Sequence, residues 1–188
     1  MKRYLCYSFS KFIVLCISLL IITQPSFAAR DTNSYDGNIF PIYAGNGSLV
    51  PPSSTLKKAL KNKRTSVIIF YLDDSSMSKA FAPVVSGIKL LWSSSVDLIP
   101  LTTDEFQGNQ SDDTTDESYY WNGNIPQTVI INGNGEVVLD KDGQVDLEEI
   151  NQAISKSTGL EPPSFTITIK SFNEYNSEPS KDGYTDPR

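Results

Sequence analysis

The sequence predicts an α/β sandwich in which helices flank a mixed central sheet. Apolar runs at residues 67–72 and 96–101 enclose a stretch with helical spacing, which indicates a strand–helix–strand unit. Residues 128–131 and 136–139 flank an Asn-Gly-Asn-Gly turn and indicate an antiparallel hairpin, and a last helical pattern follows it. Such a unit, followed by a hairpin and a closing helix, predicts one layer of mixed strands covered by helices.

The first segment predicts export. A positively charged start is followed by an apolar run at residues 12–22 and then by small residues, which predicts a secretory signal peptide over residues 1–29. Cleavage is expected after Ala28 or Ala29. The alternative is an uncleaved anchor that associates with a membrane, for which the run is short against a hydrocarbon core of about 30 Å.

Cysteine and histidine usage restricts the chemistry. The only cysteines, Cys6 and Cys16, lie inside the predicted signal, and the chain has no histidine. The mature chain therefore has no disulfide, no thiolate nucleophile and no thiolate metal site, and it lacks the commonest neutral-pH base. We expect neither an enzyme nor a cofactor or metal.

The charge of the chain is acidic. The net charge of the chain is −6, and loss of the predicted signal would remove three of its basic residues. Such a surface repels nucleic acid and anionic lipid headgroups at long range, so no nucleic-acid partner is expected.

Three regions follow the predicted signal. Residues 30–52 are polar and rich in Gly, Asn and Pro, which predicts an irregular lead-in with at most one edge strand, at residues 38–43. Residues 53–160 hold the predicted domain. Residues 161–188 form a polar C-terminal tail in which only residues 165–169 alternate between apolar and polar side chains.

The domain begins with a short helix that Ser53, Ser54 or Thr55 can cap. After the buried strand at residues 67–72, apolar spacing from Ser78 to about Trp92 predicts a helix. Pro83 lies inside this pattern and is expected to kink the helix.

The second half of the domain starts with an acidic loop at residues 103–118. Its carboxylates could bind Ca²⁺ weakly, but their spacing fits no EF-hand, which favours a solvated loop. Asp146 and Glu149 resemble a capping box that opens the last helix, and Gly159 ends that helix.

The region after the first buried strand resembles the redox motif of the thioredoxin superfamily. In that family a buried strand leads into Cys-x-x-Cys at a helix N-terminus, then Lys, then an Ala-Pro pair. Here Ser75 and Ser78 stand at the two cysteine positions, and Lys79 and the pair Ala82-Pro83 follow in register. The resemblance covers about residues 53–158 and implies a thioredoxin-like sandwich without thiol chemistry.

A second landmark of the family is a cis-proline that opens the hairpin. Ile125-Pro126 resembles it, with Gln127 intervening before Thr128 where the family has none. The resemblance implies a cis bond at Pro126, and it implies that the backbone of Ile125 pairs with an extended peptide. The alternative is that Pro126 only shapes the edge of the sheet.

Within that superfamily the chain is similar to a cyanobacterial and plastid-lineage group, the thylakoid membrane photosystem I accumulation factors. The similarity lies in four stretches: residues 67–75, residues 81–85, residues 119–121 together with 125–129, and residues 171–178. It implies a non-redox assembly or stability factor in the thylakoid lumen or membrane, with photosystem I subunits or other assembly factors as protein partners. The alternative is a thiol-independent peptide-binding or chaperone-like module of the periplasm.

These resemblances select the candidate site residues. The degenerate motif and the proline landmark form a candidate partner groove: Asp73, Asp74, Ser75, Ser76, Met77, Ser78, Ile125 and Pro126. The two motif serines are either relics of the cysteines or helix caps. Neither is expected to be a nucleophile, because no histidine is present and Lys79 is expected to extend along the surface.

The aromatic run Tyr119-Tyr120-Trp121 is a second candidate. Aromatic side chains beside Pro126 suit a contact surface, since such residues are enriched at interaction hot spots. They suit core packing at the start of the hairpin equally well.

Overall fold

The computed structural model describes residues 30–162 apart from residues 107 and 109. The predicted signal peptide and the alternating stretch at residues 165–169 lie outside this part of the chain. The helices are α1 (Ile39–Ala44), α2 (Leu56–Lys61), α3 (Ser76–Trp92) and α4 (Leu147–Thr158). The strands are β1 (Thr65–Tyr71), β2 (Val96–Thr102), β3 (Gln127–Ile131) and β4 (Val137–Asp142). Short 3-10 helices span Gly47–Leu49, Thr103–Glu105 and Glu117–Tyr120.

The four strands form one mixed sheet in the order β2-β1-β3-β4. β1 and β2 are parallel, and β3 is antiparallel to both β1 and β4. The parallel pair is joined by α3, and the antiparallel pair is a hairpin followed by α4, as the sequence predicted. The α/β fold with a mixed, thioredoxin-like sheet is therefore confirmed.

β1 is the central strand, and both of its faces are buried. Val67, Ile69 and Tyr71 face a core that is shared with α1, α3 and α4. Ile68 and Phe70 face a second core beneath α2. Every residue of β1 is buried, which explains its continuous apolar sequence, since a strand covered on both sides shows no alternation.

The expectation of an edge strand at residues 38–43 is wrong, because this segment forms helix α1. The Asn38 side chain accepts the Phe40 N–H at 3.1 Å and caps the helix. Pro41 is tolerated because it lies in the first turn, where the backbone N–H has no intrahelical partner. Ile39, Phe40 and Tyr43 are buried in the first core, so this part of the lead-in belongs to the domain.

The ends of two other helices test the predicted caps. Thr55 caps α2 by accepting the Lys58 N–H at 3.3 Å, as predicted. The prediction of a capping box at α4 is wrong. Asp146 makes no capping hydrogen bond through its side chain, and Glu149 pairs with Lys141 at 2.5 Å instead. Gly159, with φ of 71°, ends α4 as predicted.

The hairpin turn packs against the loop between α2 and β1. A methyl group on Gly133 would lie 2.3 Å from the carbonyl oxygen of Lys63, so the backbones are in direct contact there. α3 is assigned as one helix through Pro83, and the predicted kink stays a prediction. In the part of the chain that the structure describes, no helix has the length and hydropathy needed to cross a bilayer.

Candidate functional site

The degenerate motif and the proline landmark lie at one end of the two inner strands of the sheet. The antiparallel register ends with the pair Phe70 of β1 and Gln127 of β3. Leu72, which precedes the motif, and Ile125 each lie two residues beyond this pair. The Ile125–Pro126 bond is cis, as the resemblance implied. The two halves of the candidate groove are therefore neighbours.

Both motif serines bind backbone amides. Ser75 is the N-cap of α3, and its hydroxyl oxygen accepts the Ser78 N–H at 3.3 Å. Ser78 is buried, and its hydroxyl oxygen accepts the N–H of Leu72, at the end of β1, at 3.3 Å. The hypothesis of a capping role is confirmed for Ser75, while Ser78 joins the strand to the helix.

Lys79 contradicts the expectation of a surface side chain, since it is fully buried. Its ammonium donates to the carbonyl oxygens of Ser34 at 2.6 Å and Thr32 at 3.1 Å, and to the Asp36 carboxylate at 2.6 Å. It also lies 5.5 Å from the centre of the Tyr43 ring. The expectation failed because the lead-in folds back over this face of α3, which local helical spacing does not reveal.

The residues that cover this face, residues 30–38, are called the strap below. Three further hydrogen bonds fix the strap and the start of α1 to the motif and α3. The Asn33 side chain accepts the Ser76 N–H at 3.0 Å, and Arg30 donates to the Ala80 carbonyl oxygen at 3.3 Å. The Asp73 carboxylate accepts the Ile39 N–H at 2.9 Å. Part of the candidate groove is thus occupied by the chain itself.

The charges of this region shift several titrations. The hydrogen bond from Lys79, supported by one from Tyr43, lowers the pKa of Asp36 below its usual value. Burial, together with the bond to Asp36, raises the pKa of Tyr43 to about 12. Burial also raises the pKa of Asp73, and the nearby carboxylates of Asp104 and Asp74 act in the same direction. Asp73 is therefore the carboxyl group of the motif whose charged form is disfavoured.

Gln127 is a site residue that sequence reasoning missed. Its buried side chain donates to the Tyr120 carbonyl oxygen at 2.9 Å and to Asp140 at 2.8 Å, and it accepts the Asn122 N–H at 3.2 Å. The loop that leads to Ile125 is fixed by these bonds. The one available signal was that Gln127 is the extra residue between the proline and the threonine of the family pattern.

The main chain of Ile125 is left open by this arrangement. The Pro126 carbonyl oxygen accepts the Gly143 N–H at 2.7 Å. Among the described residues no hydrogen bond reaches the N–H or the carbonyl oxygen of Ile125, although its side chain packs on the second core. A fixed backbone with unpaired polar groups, here just before the inner strand β3, can accept an extended segment of a partner.

The aromatic run divides between core and surface. Trp121 is buried, with its ring 5.4 Å from that of Phe70, so it belongs to the core. Tyr119 is 46% exposed and stacks edge-on against Tyr120 at 5.0 Å. The contact-surface hypothesis stays a prediction for these two tyrosines.

The acidic loop uses its carboxylates within the chain. Asp113 accepts hydrogen bonds from Thr115, and Asp116 accepts the Ser118 N–H at 2.9 Å. Glu117 reaches across to accept the Leu56 N–H at the start of α2, at 2.6 Å. Within the described ranges, no group of three or more His, Cys, Asp or Glu residues is placed to hold a metal ion.

Comparison with solved structures finds thioredoxins. The lipoprotein thioredoxin Etrx1 of Streptococcus pneumoniae TIGR4 is 17% identical, with a TM-score of 0.42 over 52% of this chain and 89% of that one. A mutant thioredoxin of Halobacterium salinarum NRC-1 is 21% identical, with a TM-score of 0.45 over 57% of this chain and 86% of that one. These TM-scores are low, and the fold assignment rests on strand order and connections instead.

Comparison of sequences identifies the family. No family model matches the chain. The thylakoid membrane protein slr1796 of Synechocystis sp. (strain PCC 6803) is 34% identical over 155 residues, which are 81% of this chain and 77% of that protein. At this identity and coverage the two proteins share one fold and one ancestry. The chain belongs to the family of the thylakoid membrane protein slr1796, on a thioredoxin-like scaffold.

Proposed function

We propose that the protein is a non-redox assembly or stability factor at the thylakoid, which supports photosystem I accumulation by binding a protein partner. Membership in the family of a thylakoid membrane protein supports the thylakoid location. Serine at both cysteine positions, with no cysteine after residue 16, supports a role without thiol chemistry.

The unpaired main chain of Ile125 is the observation that carries the proposal. Its N–H and carbonyl oxygen can form two hydrogen bonds with an extended segment of a partner, each worth a net of about 0.5–1.5 kcal/mol. Because Gln127 and the second core already hold this loop in place, little conformational entropy is lost when the partner binds.

The motif serines support binding rather than catalysis. A serine nucleophile needs an adjacent base that takes its proton. The hydroxyl groups of Ser75 and Ser78 are engaged with main-chain N–H groups, and Lys79 is turned into the strap. The site therefore offers an anchored backbone and no activated group.

Photocrosslinking in thylakoids tests the proposal. A photoreactive phenylalanine analogue replaces Met77, which is 46% exposed at the motif end of α3. The matched control carries it at Leu90, which is 67% exposed near the other end of the same helix. We expect adducts with a photosystem I subunit or an assembly factor from position 77 and none from position 90. Equal adducts from both positions, or none from either, would contradict the proposal.

The peptide-binding module of the periplasm is the second candidate, since the open backbone of Ile125 would accept any extended peptide. Gene deletion and low-temperature fluorescence of whole cells separate the two functions. Selective loss of photosystem I emission, restored by the wild-type gene, supports the assembly factor. An unchanged spectrum, with position 77 crosslinked to unrelated exported proteins, supports the peptide-binding module.

A further inference from the structure

The strap differs from the chain that follows it in how it is held. From Ile39 onward the lead-in contributes buried apolar side chains to the first core. Residues 30–38 bury none, and their described contacts with α3 are hydrogen bonds and one ion pair. Release of the strap therefore removes no apolar side chain from the core.

Lys79 opposes that separation. Its side chain has no exposed surface, and the strap provides its anionic partner and two of its carbonyl acceptors. If the strap leaves, the ammonium loses these partners in a site from which water is largely excluded, and a buried charge that loses partners is costly. The closed position is favoured by a charge that belongs to the domain rather than to the strap.

The strap also takes a group that the motif would otherwise present to a ligand. The Asn33 side chain accepts the Ser76 N–H, one of the first amides of α3, which has no partner within the helix. Asp73 is likewise held by the Ile39 N–H. The strap thus occupies the helix side of the groove, while the main chain of Ile125 on the strand side stays open.

We propose that residues 30–38 are an autoinhibitory strap that closes the helix side of the groove, and that Lys79 is the positioning residue that locks it. A partner then pairs only on the Ile125 side unless the strap is released. The autoinhibitory role rests on the proposed function, whereas the lock by Lys79 is a property of the isolated protein.

Residue-resolved hydrogen exchange of the full chain tests the lock. The reporters are the amides of Ser76 and Phe40, which donate to side chains of the strap, and the reference is the amide of Ile69 in the core. In Lys79→Met we expect the two reporter amides to exchange at least about tenfold faster, with Ile69 unchanged, because local opening costs less free energy than global unfolding. Lys89→Met, on the same helix and without a described partner, should leave all three rates unchanged.

Two results would overturn the proposal. If the reporter amides exchange no faster in Lys79→Met, the strap is held without Lys79. If Ile69 accelerates as much as Ser76, Lys79 stabilises the whole fold rather than the strap. Should Lys79→Met not fold, Asp36→Asn decides by the same rates, since it removes the strap carboxylate that pairs with Lys79 and keeps the carbonyl acceptors of Lys79.

Discussion

Replacement of Ser78 by alanine tests whether this motif serine is a relic of a cysteine or a structural group. The Ser78 hydroxyl oxygen is the acceptor for the Leu72 N–H, and the serine is 1% exposed, so water does not replace the lost acceptor freely. An N–H left without a partner in a buried site costs about 1–3 kcal/mol. The 3.3 Å distance is long for such a bond, which places the cost in the lower half of that range, at about 1.5 kcal/mol.

A second effect has the opposite sign. Ser78 lies in the first turns of α3, and alanine is the better helix former by roughly 0.5 kcal/mol. The net loss for Ser78→Ala is therefore about 1 kcal/mol if the hydroxyl group is structural. If the serine is only a relic, the helix propensity alone remains, and the variant gains about 0.5 kcal/mol. The two hypotheses thus differ in the sign of the stability change.

Urea unfolding measures this change through tryptophan fluorescence. The chain has two tryptophans, Trp92 and Trp121, and both are buried, so their emission reports loss of the two cores. With a slope of about 2 kcal/mol/M, the midpoint should fall by roughly 0.5 M. Ser93→Ala, an exposed serine just after α3 that makes no described capping bond, is the control and should shift stability by less than about 0.5 kcal/mol. A Ser78→Ala protein as stable as the wild type, or more stable, would refute the structural role.

Three further predictions follow from the fold and its charges. Gly133→Ala should lower the free energy of unfolding by about 1–3 kcal/mol, because the methyl group meets a backbone carbonyl. Gly135→Ala, with φ of 87° and only a side chain nearby, should lower it by about 1–2 kcal/mol. Thermal unfolding in which either variant is as stable as the wild type would contradict this. Because the folded pKa of Asp73 is raised above its unfolded value near 3.8, this residue destabilises the fold increasingly as pH rises through the folded pKa. Asp73→Asn should therefore flatten the stability profile just above pH 4, and urea midpoints that keep the wild-type slope there would disprove it. The pKa values of Tyr43 and Tyr71 are raised to about 12, so ultraviolet titration should show tyrosines that ionise well above pH 10. The free energy of unfolding should fall as pH rises from 10 through 12. A single titration near pH 10 in the folded protein would rule this out.

The sequence by itself determined the order of strands and helices from α2 onward and the serines at the two cysteine positions of the redox motif. A continuous apolar run marks β1 because both faces of this inner strand are buried, and a similar run marks the edge strand β2 because most of its residues are buried. The hairpin turn, the Ser75 cap and the Gly159 stop are equally local, since each depends on backbone geometry within a few residues. The family resemblance added the cis bond at Pro126, which no apolar pattern reveals.

Tertiary structure alone decided which side chains of the site are covered. Lys79 has the spacing of a surface lysine, and it is buried only because a segment more than 40 residues earlier folds across it. Residues 39–44 form α1 rather than a strand because α3 offers their apolar side chains a surface at helical spacing. Trp121 is buried in the core, whereas Tyr119, two residues earlier, is exposed. This difference depends on where Phe70 lies in the sheet, because the Trp121 ring packs against it. In each case the deciding free energy comes from contacts between segments distant in sequence, which local propensity and periodicity do not contain.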